Sequence, residues 1–101
     1  MSARRPRLAL SSNAQRDLQN ILVDTEQAWG RSQRRAYIQR INQAFANLRS
    51  HPHIGLAQSD FGEGTRSFRV GQHVTLYQPS ETDTLILRIL HARRDRSDEF
   101  D

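Results

Sequence analysis

The chain has 101 residues, the size of one domain. All 15 of its basic residues are arginine, and it has no lysine and no cysteine; Schiff-base lysines, a phosphate-loop lysine, disulfides, thiolate catalysis and cysteine-metal sites are therefore excluded. Its formal charge of +4 is unevenly spread, with nine Arg against three acids in residues 1–50 and six Arg against eight acids in residues 51–101. A basic half of this kind points to an acidic partner, either nucleic acid or an acidic protein segment.

Leu, Ile, Val and Phe make up 23 residues, which is enough for a lean core. Arg4, Arg5 and Arg7 are followed only by Leu8-Ala9-Leu10, too short for a signal-peptide apolar region. No apolar run approaches the ~20 residues of a membrane helix. The expectation is a cytoplasmic protein without membrane contact.

Residues 7–11 read as a strand. Ser12 reads as a helix N-cap, with Gln15 completing a capping box. Leu18, Ile21, Leu22, Thr25, Ala28 and Trp29 then form the stripe of an amphipathic helix, closed by Gly30 in a left-handed position. A second helix starts near Arg31 or Ser32, with a stripe of Ile38, Ile41, Ala44, Phe45 and Leu48 and with Tyr37 at its edge. Pro52 ends it. The short connection forces an antiparallel hairpin. The second helix holds five Arg and no acid, and Arg31, Arg34 and Arg35 share a face at i, i+3 and i+4.

Residues 51–64 read as a loop, in which His51 and His53 are at most a weak metal signal. The periodicity then changes to two. Phe68 and Val70 alternate with Ser67 and Arg69, and Gly71-Gln72 turns the chain. Val74 and Leu76 alternate with His73, Thr75 and Tyr77. Residues 84–90 form a last strand, apolar on both parities. The fold class is α+β: an N-terminal strand and a helical hairpin packed on a three- to four-stranded, mainly antiparallel sheet. One domain spans residues 1–95, followed by a charged tail at 96–101.

If the helices cover Phe68, Val70, Val74, Leu76, Leu85, Leu87 and Ile89, the opposite face displays His73, Arg69, Tyr77 and Arg88 with Ile86 and Leu90. Such a face suits a phosphate site, a groove for another polypeptide, or the chain's own folded-back tail. His91 is a candidate general acid or base, although strict alternation puts it across the sheet from Arg88.

Several stretches carry a family resemblance. Leu10 to Leu18 resembles a strand running into an Ala-x-x-Asp-Leu helix. Trp29-Gly30 resembles the break between helices, and Leu48 to Gly55 a Leu-x-x-x-Pro-x-x-Gly exit. Arg66 to Tyr77 resembles the central hairpin and Ile86 to Asp95 the closing strand. Together they resemble the ParE branch of the RelE/ParE toxins of type II toxin–antitoxin modules. Arg69 departs from the pattern, standing where many relatives have Pro.

The resemblance implies a non-enzymatic toxin that inhibits DNA gyrase. It also implies a ParD-like antitoxin with an acidic and apolar tail, which contacts operator DNA on the toxin's behalf. The residues expected to bind antitoxin or target are Arg31, Arg34, Arg35, Arg69, Tyr77, Ile86, Arg88, Leu90 and His91, with no cofactor and no metal. The alternatives are a RelE-like ribosome-dependent mRNA endonuclease using Arg69, Tyr77, Arg88 and His91, and a non-toxic co-repressor. Arginine can clamp a phosphate but is too basic to serve as general base, and the usual ribonuclease lysines are missing.

Overall fold

The computed structural model describes residues 5–92. β1 (Leu8–Leu10) runs directly into α1 (Ser12–Trp29) through Ser11. Ser11, one residue before the expected cap, accepts a hydrogen bond from Ala14 N through its Oγ at 3.0 Å. The same hydroxyl donates to the Leu87 carbonyl at 2.7 Å, so one side chain starts the helix and ties it to the last strand. Gln15 is used differently from a capping box, donating from Nε2 to the Leu10 carbonyl at 3.1 Å.

Gly30 alone separates α1 from α2 (Arg31–Ser50). Its φ of 91° is open to glycine and strained for other residues. It closes α1 by donating to the Glu26 carbonyl and opens α2 by accepting from Arg34 N. The hairpin buries Ala14 and Ile21 from α1 and Ile41, Ala44, Phe45 and Leu48 from α2. Trp29, expected in the stripe, is the last residue of α1 and is 74% exposed at the hairpin tip.

The segment expected to be a loop holds a two-residue strand, β2 (Leu56–Ala57), and a 3-10 turn at Ser59–Phe61. Two residues are too few for a periodicity signal. β3 (Arg66–Val70), β4 (His73–Pro79) and β5 (Thr84–His91) follow. The sheet has five strands in the order β1-β5-β4-β3-β2, with β1 parallel to β5 and every other pair antiparallel.

The two sheet faces differ from the expected assignment. Gly71-Gln72 is a two-residue turn that sets Val70 opposite His73 and Phe68 opposite Thr75. Directly opposed residues share a face, so His73, Thr75 and Tyr77 join Phe68 and Val70 under the helices. Val74 and Leu76 lie on the other side. In β5 the register shifts, pairing Tyr77 with Ile86 but Leu76 with Arg88, so Leu87 is an extra, bulged residue. The bulge puts both Ile86 and Ile89 into the helix-side core despite their odd spacing. Tyr77, Ile86 and His73 are thus on the helix side and Leu85 on the open side, the reverse of expectation, while Arg69 and Leu90 lie on the open side as expected. The charged tail at 96–101 lies outside the described residues.

Candidate partner-binding surface

Tyr77 has no solvent exposure and fills the centre of the core. Its hydroxyl donates to the Pro52 carbonyl at 2.8 Å and accepts from Gly55 N at 2.9 Å. Burial pushes the Tyr77 phenol above its ordinary pKa, against the opposing pull of the Gly55 amide and the Arg66 charge. Arg66 Nη1 donates to the Gly55 carbonyl at 2.7 Å. Gly55 fits here because a Cβ would stand 2.4 Å from the Ser67 carbonyl and 2.6 Å from the Tyr77 hydroxyl. The arrangement is a clamp that fixes the exit of α2 onto the sheet.

Arg88 lies opposite Leu76, and its guanidinium reaches Asp17 on α1, with Nε–Oδ2 at 2.7 Å and Nη2–Oδ1 at 3.1 Å. Asp17 Oδ2 also accepts from Ile89 N at 2.9 Å, capping a β5 amide beyond the end of β1. Burial raises the Asp17 pKa, but the Arg88 and Ile89 hydrogen bonds and the Arg88 and Arg16 charges outweigh it and hold the carboxyl below its ordinary value.

His91 pairs across the ladder with His73, their rings edge-on with centroids 5.4 Å apart. Tyr37 Oη donates to the Val70 carbonyl at 3.0 Å and lies 2.6 Å from His73 Nδ1. The phenol has one proton, so both bonds form together only if His73 Nδ1 carries a proton and donates it to Tyr37. Burial and the neighbouring His91 lower the His73 pKa, while Asp24 pulls it up. Sequence reasoning missed this cluster. It left Tyr37 at a helix edge and His73 on the other face, and the two-residue turn was the signal that could have placed both.

The open sheet face carries Arg69, Val74, Leu85 and Leu90, and Leu76 on the same side is itself buried. Leu85 is 40% exposed, and it borders an open cleft with Ala9, Pro79, Ser80 and Asp83. Arg69 is exposed, its Nε donating to the Gly71 carbonyl at 2.9 Å. The structure therefore separates the expected site residues. Arg69 and Leu90 share the open face. Tyr77 and Ile86 are buried, Arg88 is bound to α1, and His91 lies beside His73. On the hairpin, Arg31 and Arg35 are exposed, while Arg34 turns to Glu26 at 3.6 Å. Among the described residues, no three His, Cys, Asp or Glu side chains gather as a metal site would require, and no helix is long and apolar enough to cross a membrane.

Comparison with known proteins bears on this arrangement. The family described as the ParE toxin of the type II toxin-antitoxin system, parDE, matches residues 8–96. The chain belongs to the ParE toxin family. Toxin ParE1 of Mycobacterium tuberculosis is 31% identical over 90 residues, covering 88% of this chain and 92% of that one. The solved chromosomal ParDE TA system from P. aeruginosa superposes with a TM-score of 0.71 at 18% identity, covering 84% of this chain and 94% of that one, and supports the fold. The toxin–antitoxin complex RelBE2 from Mycobacterium tuberculosis superposes at 0.58 with 26% identity, covering 84% and 88%. The two helices on a mixed sheet are thus common to the ParE and RelE architectures, and this chain is a ParE-type toxin of a type II toxin–antitoxin system.

Proposed function

We propose that this ParE-type toxin inhibits DNA gyrase by direct binding and is held inactive by a ParD-like antitoxin whose tail covers the open sheet face. The observation that carries the antitoxin half is the apolar strip of the half-buried Val74 and Leu90 and the 40% exposed Leu85 on the sheet face away from the helices, with the exposed Arg69 on the same face. Apolar anchors and a carboxylate on an extended tail would complement it. The solved ParDE and RelBE2 neighbours, which are toxin–antitoxin systems, support a partner of this kind. Operator DNA is then reached through the antitoxin, and the cytoplasm is the compartment in which both partners meet.

A non-enzymatic mechanism is favoured because two of the four residues a ribonuclease would use are committed elsewhere. The Tyr77 hydroxyl is spent on Pro52 and Gly55, and the Arg88 guanidinium is held by Asp17. The test induces the toxin briefly and follows DNA supercoiling and translation-dependent mRNA cleavage in parallel. Loss of supercoiling with intact mRNA is the expected result; codon-phased cleavage with normal supercoiling overturns the gyrase assignment. For the antitoxin, Leu85→Asp should weaken binding in a calorimetric titration by at least about tenfold, since it sets a charge against an apolar contact. Unchanged affinity would move the tail to another surface.

A further inference from the structure

The outer side of the helical hairpin carries charge that the fold does not use. α2 has five Arg and no acidic residue. At 3.6 residues per turn, Arg31, Arg35, Asn42 and Arg49 fall within about 40° of one another, on a row about 27 Å long. All four are exposed. Arg34 faces α1 and pairs with Glu26, whereas Arg40 lies on the opposite flank near Tyr37. Two of the three acids of α1 are paired away from the row, Asp17 with Arg88 and Glu26 with Arg34. Among the described residues, no carboxylate pairs with Arg31, Arg35 or Arg49.

We propose that this row is a sequence-independent contact surface for the phosphate backbone of duplex DNA, made by the toxin chain itself. Guanidinium and amide donors in a straight line suit a rigid polyanion with one charge per ~1.7 Å of axis. An acidic peptide would need apolar anchors along the row. The only large apolar side chains exposed on the hairpin are Val23 and Trp29, and the apolar strip lies instead on the sheet. A single strand is held by several stacking aromatics, whereas the hairpin exposes only Trp29 at its tip. The inference does not depend on gyrase being the target.

The test measures binding of the full chain to a labelled duplex of about twenty base pairs and arbitrary sequence, by fluorescence anisotropy, from about 50 to about 200 mM salt. Substituting R31Q, R35Q and R49Q together should flatten the plot of log affinity against log salt by about 2.7, or 0.9 per lost phosphate contact. The matching triple Lys variant should keep the slope, because the term is one of charge. Trp29, the chain's single tryptophan, sits two residues from Arg31 and should change its emission on titration with unlabelled duplex. All three substituted side chains are exposed, so circular dichroism should show wild-type melting for both variants. The proposal is overturned if R5Q with R7Q loses as much slope per charge as the triple variant, since binding then follows net charge alone. It is equally overturned if polyglutamate of matched charge competes as well as the duplex, which would make the row a peptide surface.

Discussion

Tyr77→Phe removes one oxygen atom from the centre of the molecule and leaves the ring to fill its space. The missing hydroxyl serves two backbone groups, the Gly55 amide at 2.9 Å and the Pro52 carbonyl at 2.8 Å. Gly55 is buried, and the ring edge of Phe offers its N–H no acceptor. A stranded buried N–H costs about 1–3 kcal/mol and the lost donation to the carbonyl about 1 kcal/mol, for a total of about 2–4 kcal/mol. Each kcal/mol moves the melting temperature of a domain this size by roughly 4–8 °C, so the variant should melt roughly 10–30 °C lower. Thermal and urea denaturation followed by circular dichroism read this directly. Gly55→Ala probes the same clamp from the other side and should cost as much, because its Cβ collides with the Ser67 carbonyl and the Tyr77 hydroxyl. A loss below about 0.5 kcal/mol for Tyr77→Phe would refute the clamp, being less than one ordinary hydrogen bond. Wild-type stability with toxicity abolished would instead return the hydroxyl to the ribonuclease reading.

Asp17→Asn keeps an oxygen for Ile89 N but loses the charge opposite Arg88. The pair is part-exposed, so the cost should be about 1 kcal/mol, whereas Asp17→Ala, which also strands the amide, should cost about 2 kcal/mol in urea denaturation. The folded-state pKa of Asp17 is depressed, so its contribution is present above the ordinary carboxylate range and fades as pH falls below about 4; Asp17→Asn should flatten the stability profile there. His73 also has a lowered pKa, which for a base means the unfolded chain takes up its proton first. Stability should fall as pH drops below about 6.5, and His73→Gln should remove that slope from a pH series of melting curves.

The helical hairpin was legible because its signals are local. Gly30 punctuates two apolar stripes, and Pro52 ends the second. The helix start was missed by one residue for a reason that is not local: Ser11 and Ser12 are equal as caps in sequence, and Ser11 is selected by its second bond to Leu87 in a strand more than seventy residues away. The sheet faces illustrate a different gap. Hydropathy favoured Val74 and Leu76 for the helix side, yet the two-residue turn at Gly71-Gln72 puts His73 opposite Val70 and turns Tyr77 inward, leaving Leu76 buried on the far side. Turn length outranks hydropathy here because one residue of slip exchanges every side chain between faces. The bulge at Leu87 has no sequence signature beyond the unexplained apolar character of both parities, and it resolves that character by sending Ile86 and Ile89 to the same core.

These corrections bear on the mechanism. The four residues a ribonuclease reading would use occupy four separate environments once the turn and the bulge are in place. Tyr77 is internal, Arg88 belongs to the α1–β5 junction, and His91 lies on the ladder beside His73. Arg69 is on the open face, its Nε turned to the Gly71 carbonyl. General acid–base cleavage of RNA needs an acid, a base and a cation within hydrogen-bond reach of one phosphate. His91 and Arg69 lie on opposite sides of the sheet, so these residues cannot close on a phosphate without moving a strand. Binding needs no such convergence. Under the proposed readings, the apolar strip with a cation on the same face would dock the antitoxin tail and the basic row on the hairpin would dock duplex DNA, each without the other.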